Sequence, residues 1–202
     1  MIFETILFCL CMISCADTEK EILPPVSDQP HDYTQLMNKT VEVPVGYNLE
    51  AEHKGDVVRI DYKTRDYAEG TGTVRTNTAY VYLPYGYDGN AERRYNVFYF
   101  VHGHYGTAVS FFQDENGLLR NLLDHMVENG DMSPTIVVSP SYNYGNPTTN
   151  YADADPYCEA LPQELVNDLM PVVESRYRTY SQSTDAAGLE ASREHRAIGG
   201  FS

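Results

Sequence analysis

Apolar and polar residues alternate from Val57 to Tyr62, and again from Ala79 to Leu83 after a Gly70-Thr71-Gly72 turn. A period of two is that of a strand with one covered face, so these stretches predict two strands of an antiparallel start. A turn-rich connection, Pro84 to Asn90, follows, and Tyr95 to Val101 is then almost continuously apolar and aromatic. A strand buried on both faces reads that way. Leu118, Leu119, Leu122, Leu123, Met126 and Val127 recur at helical spacing, and Gly130 stands as a C-terminal stop. Thr135 to Ser139 is a short β-branched strand between Pro134 and Pro140. Tyr142 to Tyr157 has no periodicity and is rich in tyrosine, glycine and proline, which predicts a long polar loop. Such a loop would cross the carboxyl end of the sheet, where open α/β folds bind ligands, with Tyr142 and Tyr144 lining the substrate cleft. From Glu164 to Tyr177 an apolar stripe of Leu165, Leu169, Val172 and Val173 predicts a helix kinked at Pro171. Ser181 to Glu194 reads as a surface excursion, and His195 to Gly199 as one more strand.

Upstream of this domain the pattern changes. Ile6 to Ile13 is apolar but too short to span a bilayer as a helix, as in a secretory leader. It closes on Ser14-Cys15, which resembles a bacterial lipoprotein signal, where the cysteine becomes the lipidated first residue. The segment before the run carries Glu4 and no lysine or arginine, a departure consistent with a misplaced start codon or with no signal at all; plain secretion is the other alternative. From Ala16 to about Asp56 the chain is polar, acidic and proline-bearing, the composition of a tether. The domain reading is therefore leader 1–15, tether 16–56 and folded domain 57–202. The expected location is exported: an outer-membrane or cell-surface lipoprotein, otherwise secreted or periplasmic. With Cys9 and Cys11 in the leader and Cys15 acylated, Cys158 is left as a buried small hydrophobe or half of a disulfide.

Composition changes this picture in one respect. The 202 residues carry 29 acidic and 14 basic side chains, a formal charge of −15, which repels a phosphate backbone and disfavours nucleic acid as a partner. Contact with a membrane is expected only through the lipid anchor. Seventeen tyrosines without a tryptophan suit flat, partly polar ligands such as sugars or phenols, and equally suit the wet edge of a core.

Two short motifs carry chemistry. The apolar strand ending at Val101 runs into His102-Gly103-His104-Tyr105-Gly106, the setting of an oxyanion loop, where glycines let backbone N–H groups face a reacting carbonyl oxygen. His102 reads there as a residue bracing the loop rather than a catalytic base. The last residues are Gly200-Phe201-Ser202, the opening of G-x-S-x-G, the tight turn that raises a nucleophilic serine above a strand end. Strand, oxyanion loop, helix, strand, loop, helix, strand and G-x-S is the order of an α/β-hydrolase fold, here truncated after the strand leading to the nucleophile elbow. In that fold the triad histidine follows the serine, so none of the six histidines present is the expected general base.

The chain also resembles a family. His102-Gly103-His104, the stretch Glu164 to Pro171, the stretch Ser192 to Ser202, and the openings Tyr62 to Tyr67 and Val81 to Tyr87 are similar to the carbohydrate esterases that include feruloyl and acetyl xylan esterases, within the wider esterase D-like hydrolases. The resemblance runs from about Asp56 to Ser202, with His104 and Tyr105 standing where the family's loop is richer in glycine. It implies a serine carboxylic-ester hydrolase of acyl esters on plant cell-wall polysaccharide such as xylan, with no metal or organic cofactor. Ser202 would be the nucleophile, and the residue after it would give one oxyanion donor. The loop after His102-Gly103 would give the other, from His104 or Tyr105. The triad acid and histidine would lie beyond residue 202, so the 202-residue chain is expected to be inactive by itself. A siderophore-ester hydrolase, an acyltransferase on the same fold and a non-catalytic surface binding module are the other readings.

Overall fold

The computed structural model describes residues 42–113, 118–144 and 150–201. The leader, Cys15, most of the tether and Ser202 lie outside the described residues. Five strands form one sheet: β1 (Asp56–Arg65), β2 (Val74–Leu83), β3 (Asn96–Val101), β4 (Thr135–Ser139) and β5 (Arg196–Gly200), in the order β1-β2-β4-β3-β5. β1 and β2 pair antiparallel along their whole length, Asp56 opposite Leu83 and Arg65 opposite Val74. Both run beyond the stretches of clean alternation, because the hairpin's far end pairs polar side chains such as Lys63 and Thr76. β2 meets β4 antiparallel, while β3 pairs in parallel with β4 on one side and β5 on the other.

Helices cover both faces. The helix α1 (Leu118–Glu128) packs Leu119, Leu122, Leu123 and Met126 against Tyr82, Phe98, Phe100 and Val137. On the other face Leu161, Leu165, Leu169 and Val173 meet Val97, Tyr99, Ile136 and Val138. Successive residues of β3 thus belong to opposite cores, which is why its sequence is apolar without alternation.

Three sequence expectations are corrected here. First, Tyr151–Glu164 is a helix, α2, and not the second half of a loop. Its inward positions are sparse and it contains Pro156 and Pro162, so no stripe marks it. Its start is set locally, by the Asn150 side chain accepting from the Ala152 N–H at 3.1 Å. Second, the helix is not simply kinked at Pro171. It widens through one π-helical stretch, Leu165–Leu169, before continuing as α3 (Met170–Arg176), with the Met170 N–H reaching back five residues to the Leu165 carbonyl. The register change precedes the residue that has no N–H to give. Third, the folded domain begins before residue 57. Val43 and Tyr47 pack on the α1 core, Ala51 is buried, and the Gly55 N–H donates to buried Asp124 at 2.7 Å. The surface excursion contains a short helix, α4 (Ala186–Ala191), capped by Asp185. Cys158 is exposed, so it is not a buried hydrophobe.

Candidate active site

β3 is the point where the sheet reverses its order: α1 leads from it to β4 over one face, and α2 and α3 lead from β4 to β5 over the other. Loops leaving the strands there diverge, and the crevice between them is where an open α/β sheet binds ligand. Two segments leave β3 and β5 side by side. The parallel register sets Gly199 opposite Phe100 and Gly200 opposite Val101, so Phe201 emerges beside the His102-Gly103 loop. Gly200 and Gly103 both stand at close approaches. A Cβ on Gly200 would lie 2.7 Å from the Val101 carbonyl oxygen, and one on Gly103 would lie 3.0 Å from the Phe201 ring. The Phe201 ring is wedged against Phe111 and Phe100, with centroids at 5.4 and 6.2 Å. The chain entering Ser202 is therefore pressed onto the loop after β3, although Ser202 itself lies outside the described residues.

The loop is held from beneath. His102 is buried, and burial depresses its imidazole pKa, against a smaller opposing effect of its bond to the Gly103 carbonyl. That oxygen can only accept, so at 2.8 Å Nδ1 carries the proton, while Nε2 lies 3.0 Å from the Ser141 hydroxyl. The Gly103 oxygen also accepts from the Gly106 N–H at 2.9 Å and from the Tyr142 hydroxyl at 3.1 Å. Ser141 donates to Asn143 Oδ1 at 2.6 Å, and Asn143 Nδ2 donates to the Gly106 carbonyl at 2.8 Å. The turn Ser141 to Asn143, directly after β4, thus fastens the loop after β3 at two carbonyls. Gly106 sits so close to His102 that a Cβ there would be 2.7 Å from the His102 Cβ and 2.8 Å from its ring.

Behind the turn stands a buried acid that sequence reasoning left without a role. Glu164, 3% exposed, accepts from the Tyr62 hydroxyl at 2.5 Å and from Asn77 Nδ2 at 2.7 Å, and Asn77 also donates to the Ser141 carbonyl at 2.7 Å. Desolvation lifts its carboxyl above the ordinary range, opposed by the hydrogen bonds from Tyr62 and Asn77. One turn on, Asp168 accepts from Thr64 and Tyr67 at 2.8 and 2.9 Å. No local pattern reveals these pairs, whose members stand 87 to 104 positions apart.

The expected site residues separate into two groups. His102, Gly103, His104, Tyr105 and Gly106 form one loop, with His102 bracing it and Tyr105 65% exposed, its ring edge-on to His104 at 4.7 Å. Tyr142 is only 5% exposed and its ring lies tilted against His102 at 4.6 Å, beneath the loop rather than on an open wall. Tyr144 is less enclosed. It takes a left-handed backbone conformation, φ 53°, rare for a side chain of that size, with Arg75 over its ring at 5.3 Å and Tyr157 edge-on at 5.8 Å. The other described histidines are placed elsewhere: His53 and His125 around α1, and His195 stacked on Tyr180 at the amino end of β5. Among the described residues no group of three or more His, Cys, Asp or Glu side chains is arranged to hold a metal ion.

A sheet of this order, helices on both faces and two glycine-bearing segments meeting at its carboxyl end define the α/β-hydrolase fold. A family profile described as a putative esterase matches residues 71–200, and the chain belongs to that esterase family. It is 42% identical over 132 residues to endo-1,4-beta-xylanase Y of Acetivibrio thermocellus, a match covering 65% of this chain and 11% of that protein. It is 27% identical over 145 residues, 70% of this chain and 18% of the relative, to an endo-1,4-beta-xylanase/feruloyl esterase of Xylanibacter ruminicola. Among solved structures, a mutant feruloyl esterase module from Clostridium thermocellum in complex with sinapinate superposes with a TM-score of 0.63 at 36% identity, over 79% of this chain and 49% of that one. A ferulic acid esterase from the anaerobic fungus Anaeromyces mucronatus shares the fold at 22% identity and a TM-score of 0.58, over 79% of this chain and 55% of that one. The chain thus spans about half the length of these solved relatives and less of the curated ones.

Proposed function

We propose that the protein is a serine esterase that removes feruloyl or acetyl groups from plant cell-wall polysaccharide such as xylan. The observation that supports this is the parallel pairing of β5 with β3, which brings Gly200-Phe201 against Gly103; in this reading the serine that follows Phe201 acts beside the loop's backbone N–H groups. The names of the relatives, xylanase and feruloyl esterase, support the substrate class. In this reading the Ser202 hydroxyl attacks the ester carbonyl carbon, its proton passes to a histidine beyond residue 202, and the carbonyl oxygen becomes an oxyanion held by N–H groups. Collapse expels the alcohol, which takes the proton, and water then hydrolyses the acyl-serine. The N–H of His104 or Tyr105 is one oxyanion donor and that of the residue after Ser202 the other. The protein is exported in this reading, with Cys15 as its lipid anchor.

The test is to assay methyl ferulate and a chromogenic acetyl ester with the 202-residue chain, with the protein extended through the segment its relatives have beyond this match, and with Ser202→Ala in the extended protein. We expect activity only from the extended protein, lowered at least about 10³-fold by Ser202→Ala. Activity from the short chain, or full activity in Ser202→Ala, would show that the nucleophile is another residue.

A further inference from the structure

We propose that Tyr142 and Asn143 are positioning residues for this ester hydrolysis: Tyr142 holds the peptide between Gly103 and His104 so that its N–H faces the reacting carbonyl oxygen, and Asn143 braces the next turn of the same loop against which that peptide rests. The inference rests on the esterase reading above.

A trans peptide is a rigid plate whose C=O and N–H point in opposite directions, and the described residues contain no cis peptide. The carbonyl of Gly103 and the N–H of His104 belong to one such plate. Three donors reach the Gly103 oxygen, but they do not act alike. The Gly106 N–H lies within the loop and His102 Nδ1 on the adjoining residue, so both move with the plate. The Tyr142 hydroxyl, at 3.1 Å, comes from a different element, the turn that leaves β4. It ties the plate to the frame of the sheet, and with the oxygen drawn inward the His104 N–H is directed outward. Asn143 does the same one turn later, its Nδ2 drawing the Gly106 carbonyl inward at 2.8 Å and leaving the Thr107 N–H on the opposite side, where Ser110 Oγ accepts it at 2.8 Å. The first plate is therefore the one aimed at chemistry and the second is its abutment.

The holding side chains are themselves fixed. The Tyr142 ring is buried and packed at a tilt against His102, and burial raises the pKa of its phenol, so it remains a donor over the working range of an esterase. Asn143 is fixed by the Ser141 hydroxyl, and Ser141 by Asn77 on the buried Glu164. Oxyanion stabilisation depends on donors that need no reorganisation when charge appears. A plate free to swing loses that stabilisation in the transition state and little in the ground state, so the loss falls on kcat. It also falls equally on every ester, since all form the same oxyanion. A tyrosine touching the acyl group would instead change the ratio between aromatic and acetyl esters.

The experiment measures Tyr142→Phe in the extended protein on methyl ferulate and on a chromogenic acetyl ester, together with inhibition by a trifluoromethyl ketone. That inhibitor adds the Ser202 oxygen to its carbonyl carbon, passes the serine proton to the base and leaves an oxyanion in the hole. Losing one oxyanion donor outright lowers kcat by about 10² to 10³, so loosening one by removing a single restraint is expected to lower it about 10-fold. The loss should be equal on both substrates, with KM unchanged and inhibition weakened by the same factor. If Tyr142→Phe does not accumulate as folded protein, the isosteric Asn143→Asp takes its place with the same expected signature. An unchanged kcat in an active protein, a loss confined to methyl ferulate, or a loss of kcat without weakened inhibition would overturn this inference alone. An inactive wild type, or undiminished activity in Ser202→Ala, would overturn the esterase reading and this inference with it.

Discussion

At the scale of single residues, His102 shows how burial and partners decide what a motif residue does. Its imidazole is 2% exposed, its Nδ1 proton is committed to the Gly103 carbonyl, and no described carboxylate bonds to it. Folding therefore holds its pKa below the unfolded value of about 6.5. The unfolded chain then binds a proton that the folded one refuses, so stability from this group is present above about pH 6.5 and is lost as pH falls toward the folded pKa. Glu164 and Asp124 act in the opposite sense, because burial raises both and their contribution is lost as pH rises through their folded values. The difference between wild type and His102→Gln isolates the histidine. Between pH 7 and 5, denaturant titrations should show wild-type stability falling more steeply than that of the variant, by at most about 1.4 kcal/mol per pH unit. Parallel slopes would mean that His102 titrates normally. That a loop leaves β3 at His102 was legible at this scale, since a histidine and glycines after an apolar run are local features; its restraints were not, because Ser141, Asn143 and Tyr142 stand some 40 residues away.

At the scale of elements, β5 is aimed at the site by an ion pair. Arg196, its first residue, makes a two-pronged contact with Glu174 of α3, Nε to Oε1 at 2.6 Å and Nη2 to Oε2 at 2.8 Å, with side-chain exposures of 9% and 2%. The same guanidinium donates to the Leu189 carbonyl and the Ser192 hydroxyl, tying strand, helix and excursion together. Removing Glu174 leaves the largely buried guanidinium with neutral acceptors but no counter-charge, so Glu174→Ala is expected to lower unfolding stability by about 3 kcal/mol. Removing both, in Glu174→Ala with Arg196→Leu, should recover much of that loss. A single mutant no less stable than wild type by denaturant unfolding would show that the pair is not what anchors β5.

At the scale of the whole molecule, Val43 and Tyr47 already pack on the α1 core, so the last part of the proposed tether belongs to the folded domain. β5 is the last strand of the described sheet and presents Ile198 at 57% exposure, an apolar edge of the kind that a further strand or helix covers. Among the described residues no helix is long and apolar enough to cross a membrane. In the export proposal, membrane attachment is through Cys15. Expressed with the leader, Cys15→Ser should pass from the membrane fraction to the soluble fraction, and unchanged partitioning would remove the anchor proposal.

The sequence by itself determined the strands, the helix α1 and the order of elements, because each depends on spacing within a few residues. Period two, period 3.6, glycine at a close approach and proline at an end are local constraints that any fold of this chain must obey. Only the tertiary structure decided that Tyr151–Glu164 is helical, since packing of Ala154 and Leu161 on the sheet outweighs two prolines and a weak stripe. It alone placed Tyr142 beneath the loop rather than in an open cleft, because a loop residue's direction is set by the partners of its hydroxyl, which here is a carbonyl 39 positions away. It alone assembled Glu164, Asn77 and Ser141, for a buried acid is tolerated only where distant strands bring donors to it, and no local pattern records that meeting.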